Sequence, residues 1–132
     1  GDGLSSIAYG NGRFVAVGFS GRRMVSYDGV NWLSDISGVA NFAGIAYCNG
    51  RFVAVGDSGL RAVSYDGVNW FAEVPNDGGD GLSSIAYGNG RFVAVGGRRM
   101  VSYDGVNWAE MLPAADVLNS IAYGPSYRVE NP

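Results

Sequence analysis

The stretch Ser26-Tyr-Asp-Gly-Val-Asn-Trp32 recurs without a change at residues 64–70 and 102–108 of this 132-residue chain. The tryptophans that end the three copies are 38 residues apart. A repeat of about 40 residues that contains several strands is typical of one β-propeller blade. The heptapeptide therefore predicts a row of blades, each built by one repeat.

A longer shared stretch precedes each copy of the heptapeptide. Residues Gly3–Gly18 reappear unchanged as Gly81–Gly96, whereas the middle copy diverges and carries Cys48 where the other two have glycine. The isoleucines of this stretch are 38, 40 and 36 residues apart, at Ile7, Ile45, Ile85 and Ile121. The identity of the first and third copies indicates a recent duplication or deliberate design.

Each repeat contains the signals for four short strands. In the first repeat we predict strands at Ser6–Tyr9, Arg13–Val17, Arg23–Tyr27 and from Asn31 to about Ile36. The second strand is a continuous apolar run, which predicts burial on both faces. Asp28-Gly29, between the third and fourth strands, predicts a two-residue hairpin turn.

The predicted fold is an all-β propeller of four-stranded antiparallel blades, forming one unit over residues 1–132. The blades span about 4–37, 42–75 and 82–113, and the first strand of a partial fourth lies within 118–132. Propellers close with four to eight blades, so three blades leave two apolar faces uncovered. We expect closure by self-association, most simply as a homodimer, or membership of a longer propeller.

The composition excludes several function classes. Lysine, threonine, glutamine and histidine are absent, the net charge is −3 and the pI is about 4.7. A chain without a basic field is a poor nucleic-acid binder, and no apolar run approaches the ~20 residues that span a bilayer. The single cysteine, Cys48, provides neither an intrachain disulfide nor a metal cluster. We predict no cofactor, no metal, no nucleic-acid partner and no membrane partner.

The heptapeptide resembles the Asp-box of sialidase-type (BNR) repeats, although the usual motif has one residue between Asp and Gly. The longer unit is similar to propeller repeats of bacterial secreted proteins and phage tail proteins, from Leu4 to Tyr123. The resemblance implies a propeller, weakly favours an extracellular location, and implies that the turn residues stabilise the fold. These residues are Ser26, Asp28, Gly29, Ser64, Asp66, Gly67, Ser102, Asp104 and Gly105.

Two residue types are candidates for ligand contact, because arginine suits carboxylate or hydroxyl-rich ligands and aromatic faces suit sugar rings. The candidates are Arg22, Arg23, Arg61, Arg98, Arg99, Trp32, Trp70 and Trp108. The alternative is that these arginines face water and the tryptophans are structural. A second set, Arg13, Arg51 and Arg91, opens the second strand of each repeat. Its repetition predicts a structural hydrogen bond or a salt bridge between blades.

The favoured function is a non-catalytic recognition module, lectin-like or adhesive, with repeated glycan sites and with further copies of itself as partners. Catalysis is disfavoured because glutamate occurs only at Glu73, Glu110 and Glu130 and identical blades cannot easily supply an asymmetric acid–base pair. One alternative is a structural or engineered scaffold without a dedicated ligand. A weaker alternative is a fragment of a sialidase-like glycoside hydrolase.

Overall fold

The computed structural model describes residues 3–36, 38 and 40–111, apart from the side chains of residues 34–36. This part of the chain contains twelve β-strands and two single 3₁₀ turns, but no α-helix. The strands of blade 1 are β1 (Leu4–Gly10), β2 (Arg13–Gly18), β3 (Arg23–Ser26) and β4 (Trp32–Ile36). Those of blade 2 are β5 (Phe42–Cys48), β6 (Arg51–Gly56), β7 (Arg61–Ser64) and β8 (Trp70–Val74). Those of blade 3 are β9 (Leu82–Gly88), β10 (Arg91–Gly96), β11 (Arg99–Ser102) and β12 (Ala109–Met111).

Each blade is an antiparallel sheet whose strands pair in chain order. The first strands, β1, β5 and β9, lie against one another, so these strands form the inner edge of the row. The predicted class of four-stranded antiparallel blades is therefore confirmed. The predicted strand of a fourth blade, within 118–132, lies outside the described residues.

The hairpin between the third and fourth strands is longer than the sequence predicts. Ser26 pairs with Trp32, so the connecting loop comprises residues 27–31, and the prediction of a two-residue turn is wrong. Gly29 has a φ of 81°, whereas Asp28 is not among the residues with positive φ, as a two-residue turn of the expected type would require. The longer loop lets the aspartate side chain reach the backbone N–H groups that follow it.

The second strand of each blade is the centre of the apolar core. In blade 2, which has a neighbour on both sides, all four residues of the run 52–55 are fully buried. The prediction of two-sided burial therefore holds for this strand. In blade 3, whose far side has no neighbour among the described residues, Val95 is 42% exposed.

The junction between blades is a hairpin packed on the preceding sheet, and it occurs twice. A Cβ atom added to Gly67 would lie 2.5 Å from a Val15 methyl carbon, and one added to Gly105 would lie 2.5 Å from a Val53 methyl carbon. Both glycines have a φ near 80°, where L side chains are strained. Glycine at this position thus satisfies both the backbone conformation and the contact between blades.

We expect Gly67→Ala to destabilise the protein more than Gly50→Ala. Both glycines have a φ of about 80°, but a Cβ at Gly50 would meet nothing within 4 Å. The backbone strain costs about 1–2 kcal/mol in either variant. Overpacking against Val15 should add about 1–3 kcal/mol in Gly67→Ala alone. Denaturant titration followed by tryptophan fluorescence measures both free energies of unfolding, and equal losses would contradict the packing account.

Candidate functional site

Hydrogen bonds to two side chains hold each hairpin loop. In blade 1 the Ser26 hydroxyl oxygen accepts the Gly29 N–H at 2.7 Å, and the Ser26 hydroxyl donates to Asp28 at 3.1 Å. Asp28 Oδ1 accepts the N–H groups of Val30 and Asn31, each at 2.8 Å, and Oδ2 accepts the Asn31 side-chain amide. Blades 2 and 3 repeat these bonds. The sequence-predicted turn residues therefore make the contacts that shape the loop.

These hydrogen bonds favour the ionised form of the hairpin aspartates. The N–H groups of Asn31 and Val30 hold the pKa of Asp28 well below its usual range. For Asp66, burial raises the pKa, but the N–H groups of Asn69 and Val68 outweigh this effect and bring it to about 2. A carboxylate held in this way serves as a fixed acceptor and is a poor proton donor near neutral pH.

The arginines that open the second strands connect successive blades. Arg13 donates through Nη1 to the Asp66 carbonyl oxygen at 3.1 Å, and Arg51 donates through Nη1 to the Asp104 carbonyl oxygen at 2.6 Å. The acceptor is in each case the hairpin of the following blade. The expected structural hydrogen bond is thus present at both described junctions. Arg91 holds the same position in blade 3, where the described residues include no following hairpin.

One exposed tyrosine stands on each hairpin at the same place. Tyr27 is 59%, Tyr65 54% and Tyr103 70% exposed. The arginine guanidinium of the same blade lies over each ring, at 5.3, 5.8 and 5.4 Å from the centroid. The sequence-based search for site residues missed this set, although the tyrosine is the second residue of every heptapeptide copy. The result is a row of aromatic side chains with one member per blade.

Arg23 is a buried junction residue, and this placement does not favour its predicted role in ligand contact. Its Nη1 and Nη2 donate to the two carboxylate oxygens of Glu73, both at 3.1 Å. The guanidinium also lies 5.0 Å from the Phe42 ring centroid and 5.4 Å from that of Trp70. Since Glu73, Phe42 and Trp70 all belong to blade 2, Arg23 joins blade 1 to its neighbour.

Two other candidate arginines are paired with carboxylates at the junction of blades 2 and 3. Arg98 Nη2 lies 2.6 Å from Asp77 Oδ2 and 3.3 Å from Glu110 Oε1, and Arg61 Nη2 lies 3.7 Å from Asp77 Oδ2. The hydrogen bond from Arg98 lowers the pKa of Asp77 to about 2 despite partial burial. Asp77, Arg98 and Glu110 line a polar cleft, but its arginine already has anionic partners. The half-buried Arg22 and Arg99 do not line this cleft.

Two of the three candidate tryptophans support the hairpins. Trp70 donates its indole N–H to the Gly67 carbonyl oxygen at 3.0 Å, and Trp108 donates to that of Gly105 at 2.9 Å. All three tryptophans, including Trp32, are half-buried. Trp70 packs against the core between blades 1 and 2, and Trp108 packs against the core between blades 2 and 3. Ligand contact by these side chains stays a prediction that this placement does not favour.

The described part of the chain contains no helix long and apolar enough to cross a membrane. Within the same residues, no group of three or more histidine, cysteine, aspartate or glutamate side chains could hold a metal ion. Cys48 is a half-buried free thiol.

Comparison with solved structures places the chain beside a known propeller. The structure described as "YCF48 bound to D1 peptide" has a TM-score of 0.63 at 19% sequence identity, over 81% of this chain and 40% of that chain. No protein-family model and no curated protein matches the chain. The likeness supports a propeller-like repeat fold and does not extend to the sialidase-type family. The chain spans less than half the length of that relative.

We expect stability to fall as the pH drops from about 4 towards 2. The hairpin aspartates have a lower pKa in the folded state than the usual 3.8, so they stabilise the fold above pH 4 and lose this effect as they protonate. Asp66→Asn should lower the free energy of unfolding at pH 7 and flatten its pH dependence in this window. Asp80→Asn, an exposed change outside the hairpins, is the control. An unchanged slope in Asp66→Asn would contradict the role given to these hydrogen bonds.

Proposed function

We propose that this chain is a non-catalytic recognition module, lectin-like or adhesive, whose ring of blades is completed by self-association. The observation that supports this proposal is the exposed tyrosine that recurs on every hairpin: Tyr27, Tyr65 and Tyr103. An exposed aromatic residue on a single loop needs no special explanation, but the same residue at the same place in three blades forms an ordered array.

The tyrosine side chain suits a shallow recognition site. Its ring offers an apolar face for the C–H face of a sugar, and its hydroxyl can donate or accept a hydrogen bond. Tyrosine loses little conformational entropy on binding because it has only two χ angles. The arginine guanidinium over each ring restricts the side chain further, so part of that entropy is lost before a ligand arrives.

Repetition compensates for weak individual sites. Three equivalent sites on a rigid row bind a ligand that is displayed many times on a surface more tightly than any one site would. Glycans on a surface have this character, which is why we favour a lectin-like or adhesive role over capture of a single small molecule.

The described carboxylates favour recognition over catalysis. Each hairpin aspartate accepts hydrogen bonds from its own loop, Glu73 pairs with Arg23, and Glu110 lies beside Arg98. Glycoside hydrolysis generally requires two carboxyl groups that face a substrate, one of them able to donate a proton. These pairings support structural roles for these acids.

Two other functions have support from particular observations. The use of Arg13, Arg23 and Arg51 at the junctions favours a scaffold without a dedicated ligand, because these cations serve the fold. The relative described above was solved with a peptide, which makes a peptide the second class of ligand to test.

We expect the full chain to bind on a glycan array, and binding to weaken stepwise as Tyr27, Tyr65 and Tyr103 are changed to serine singly and then together. The triple variant should lose most of the avidity because all three sites are removed. Phe19→Ser, which removes an exposed aromatic side chain outside the hairpins, should bind as the unchanged protein does. Binding that is insensitive to the triple change would contradict the tyrosine sites. Binding to peptides alone would replace the lectin-like role, and binding to neither would favour the scaffold.

A further inference from the structure

The first face of the row is a blade surface that is buried at the internal junctions. Ile7 of β1 is 55% exposed, whereas Ile45, at the same position of β5, is 6% exposed. Leu4 is likewise exposed, whereas Phe42 and Leu82 at the equivalent positions are buried. We call this surface of blade 1, formed by β1 and the hairpin at 27–31, the leading face.

The last face of the row is likewise exposed at a position that is buried in the other blades. Val95 of β10 is 42% exposed, whereas Val17 and Val55 at the equivalent positions are fully buried. Arg91 and Arg99 hold the positions of Arg13 and Arg23, whose partners are in the following blade. Neither Arg91 nor Arg99 has an ion-pair or hydrogen-bond acceptor among the described residues. We call this surface of blade 3, formed by β10 and β11, the trailing face.

The strands of both end faces are identical in sequence to strands that pack at the internal junctions. The residues of β1 are those of β9, which packs as the leading strand of blade 3 on blade 2. The residues of β10 and β11 are those of β2 and β3, on which blade 2 packs. A contact between the trailing face and a leading face would therefore combine two surfaces that each form a junction here.

The two end faces also match in strand position and in a backbone hydrogen-bond acceptor. At the first junction Arg23 pairs with Glu73, the fourth residue of β8. The fourth residue of β4 is Asp35, which holds the same position in the strand of blade 1. Arg99 opens β11 as Arg23 opens β3. The carbonyl group of Asp28 holds the position of the Asp66 carbonyl group that Arg13 binds, and it provides an acceptor for Arg91.

From these faces we infer that a second copy of this chain docks head to tail, its leading face on the trailing face of the first. Two copies supply six blades, within the range of closed propellers, so the same contact occurs twice in a closed ring. At each closing junction Arg91 bonds the Asp28 carbonyl group of the other copy, and Gly29 packs on Val93. This inference specifies the contact for the self-association in the proposed function and does not depend on any ligand.

The chain itself contains a competing candidate for the trailing face. Residues 118–124 read Leu-Asn-Ser-Ile-Ala-Tyr-Gly, which differs from β1 at one position. This segment matches only the first strand of a blade. A second copy also supplies the hairpin carbonyl group for Arg91, so the observations favour the copy.

The test is the native mass of the full chain, by light scattering over a range of concentrations, for two face variants. Unchanged protein should have twice the 13.8 kDa mass of one chain. Ile7→Arg on the leading face and Val95→Arg on the trailing face should each reduce the mass to that of one chain. Val106→Arg, at a valine that is 40% exposed but lies on the hairpin of an internal junction, is the matched control and should keep the mass of two chains.

Mixing the two face variants tests the direction of the contact. Each variant retains one intact face, so an equimolar mixture should form a one-to-one pair through a single junction, although neither variant pairs alone. Failure of the mixture to pair would overturn head-to-tail docking. A mass of one chain for the unchanged protein would also overturn the inference. If the Ile121→Arg variant then had the mass of two chains, residues 118–124 would be the segment that covers the trailing face in the unchanged protein. If the unchanged protein had the mass of two chains but bound no glycan, that result would count against the proposed ligand and not against this docking contact.

Discussion

The structure depends on the contact between the hairpin of one blade and the sheet of the blade before it. Gly67 lies so close to Val15 that a methyl group would not fit between them. Beside this contact, Arg13 donates to the Asp66 carbonyl group. The contact buries the valines of one blade and fixes the hairpin of the next. Because a single twisted sheet of this size cannot bury both of its apolar faces, each blade requires its neighbours.

This constraint divides the repeated residues into two groups with different roles. Serine, aspartate and glycine of each heptapeptide shape the loop and present its backbone to the preceding blade. The tyrosine between serine and aspartate stays exposed. The first group explains why the heptapeptide can recur unchanged, since every junction requires the same fit. The tyrosine gives every blade the same exposed aromatic side chain, which is the basis of the proposed multivalent recognition.

The four-stranded antiparallel blades were predictable because they follow from local signals: the repeat period, the glycine turns and the apolar second strand. The role of Arg23 was not predictable, because its partner Glu73 is 50 residues away. The positions equivalent to Glu73 in the other blades are Asp35 and Met111. A pairing that the repeats do not share leaves no pattern to detect. The tyrosines were missed because a two-residue turn would place Tyr27 inside a strand, whereas the longer loop exposes it.

The central claim, that contacts between blades rather than each sheet alone stabilise the structure, is tested most directly by unfolding blade 2 in isolation. Thermal unfolding of a peptide of residues 42–75, followed by circular dichroism beside the full chain, makes this comparison. The account predicts no cooperative transition for the peptide and a cooperative one for the chain. A cooperative transition of the isolated blade, with a native-like β spectrum below it, would contradict the claim.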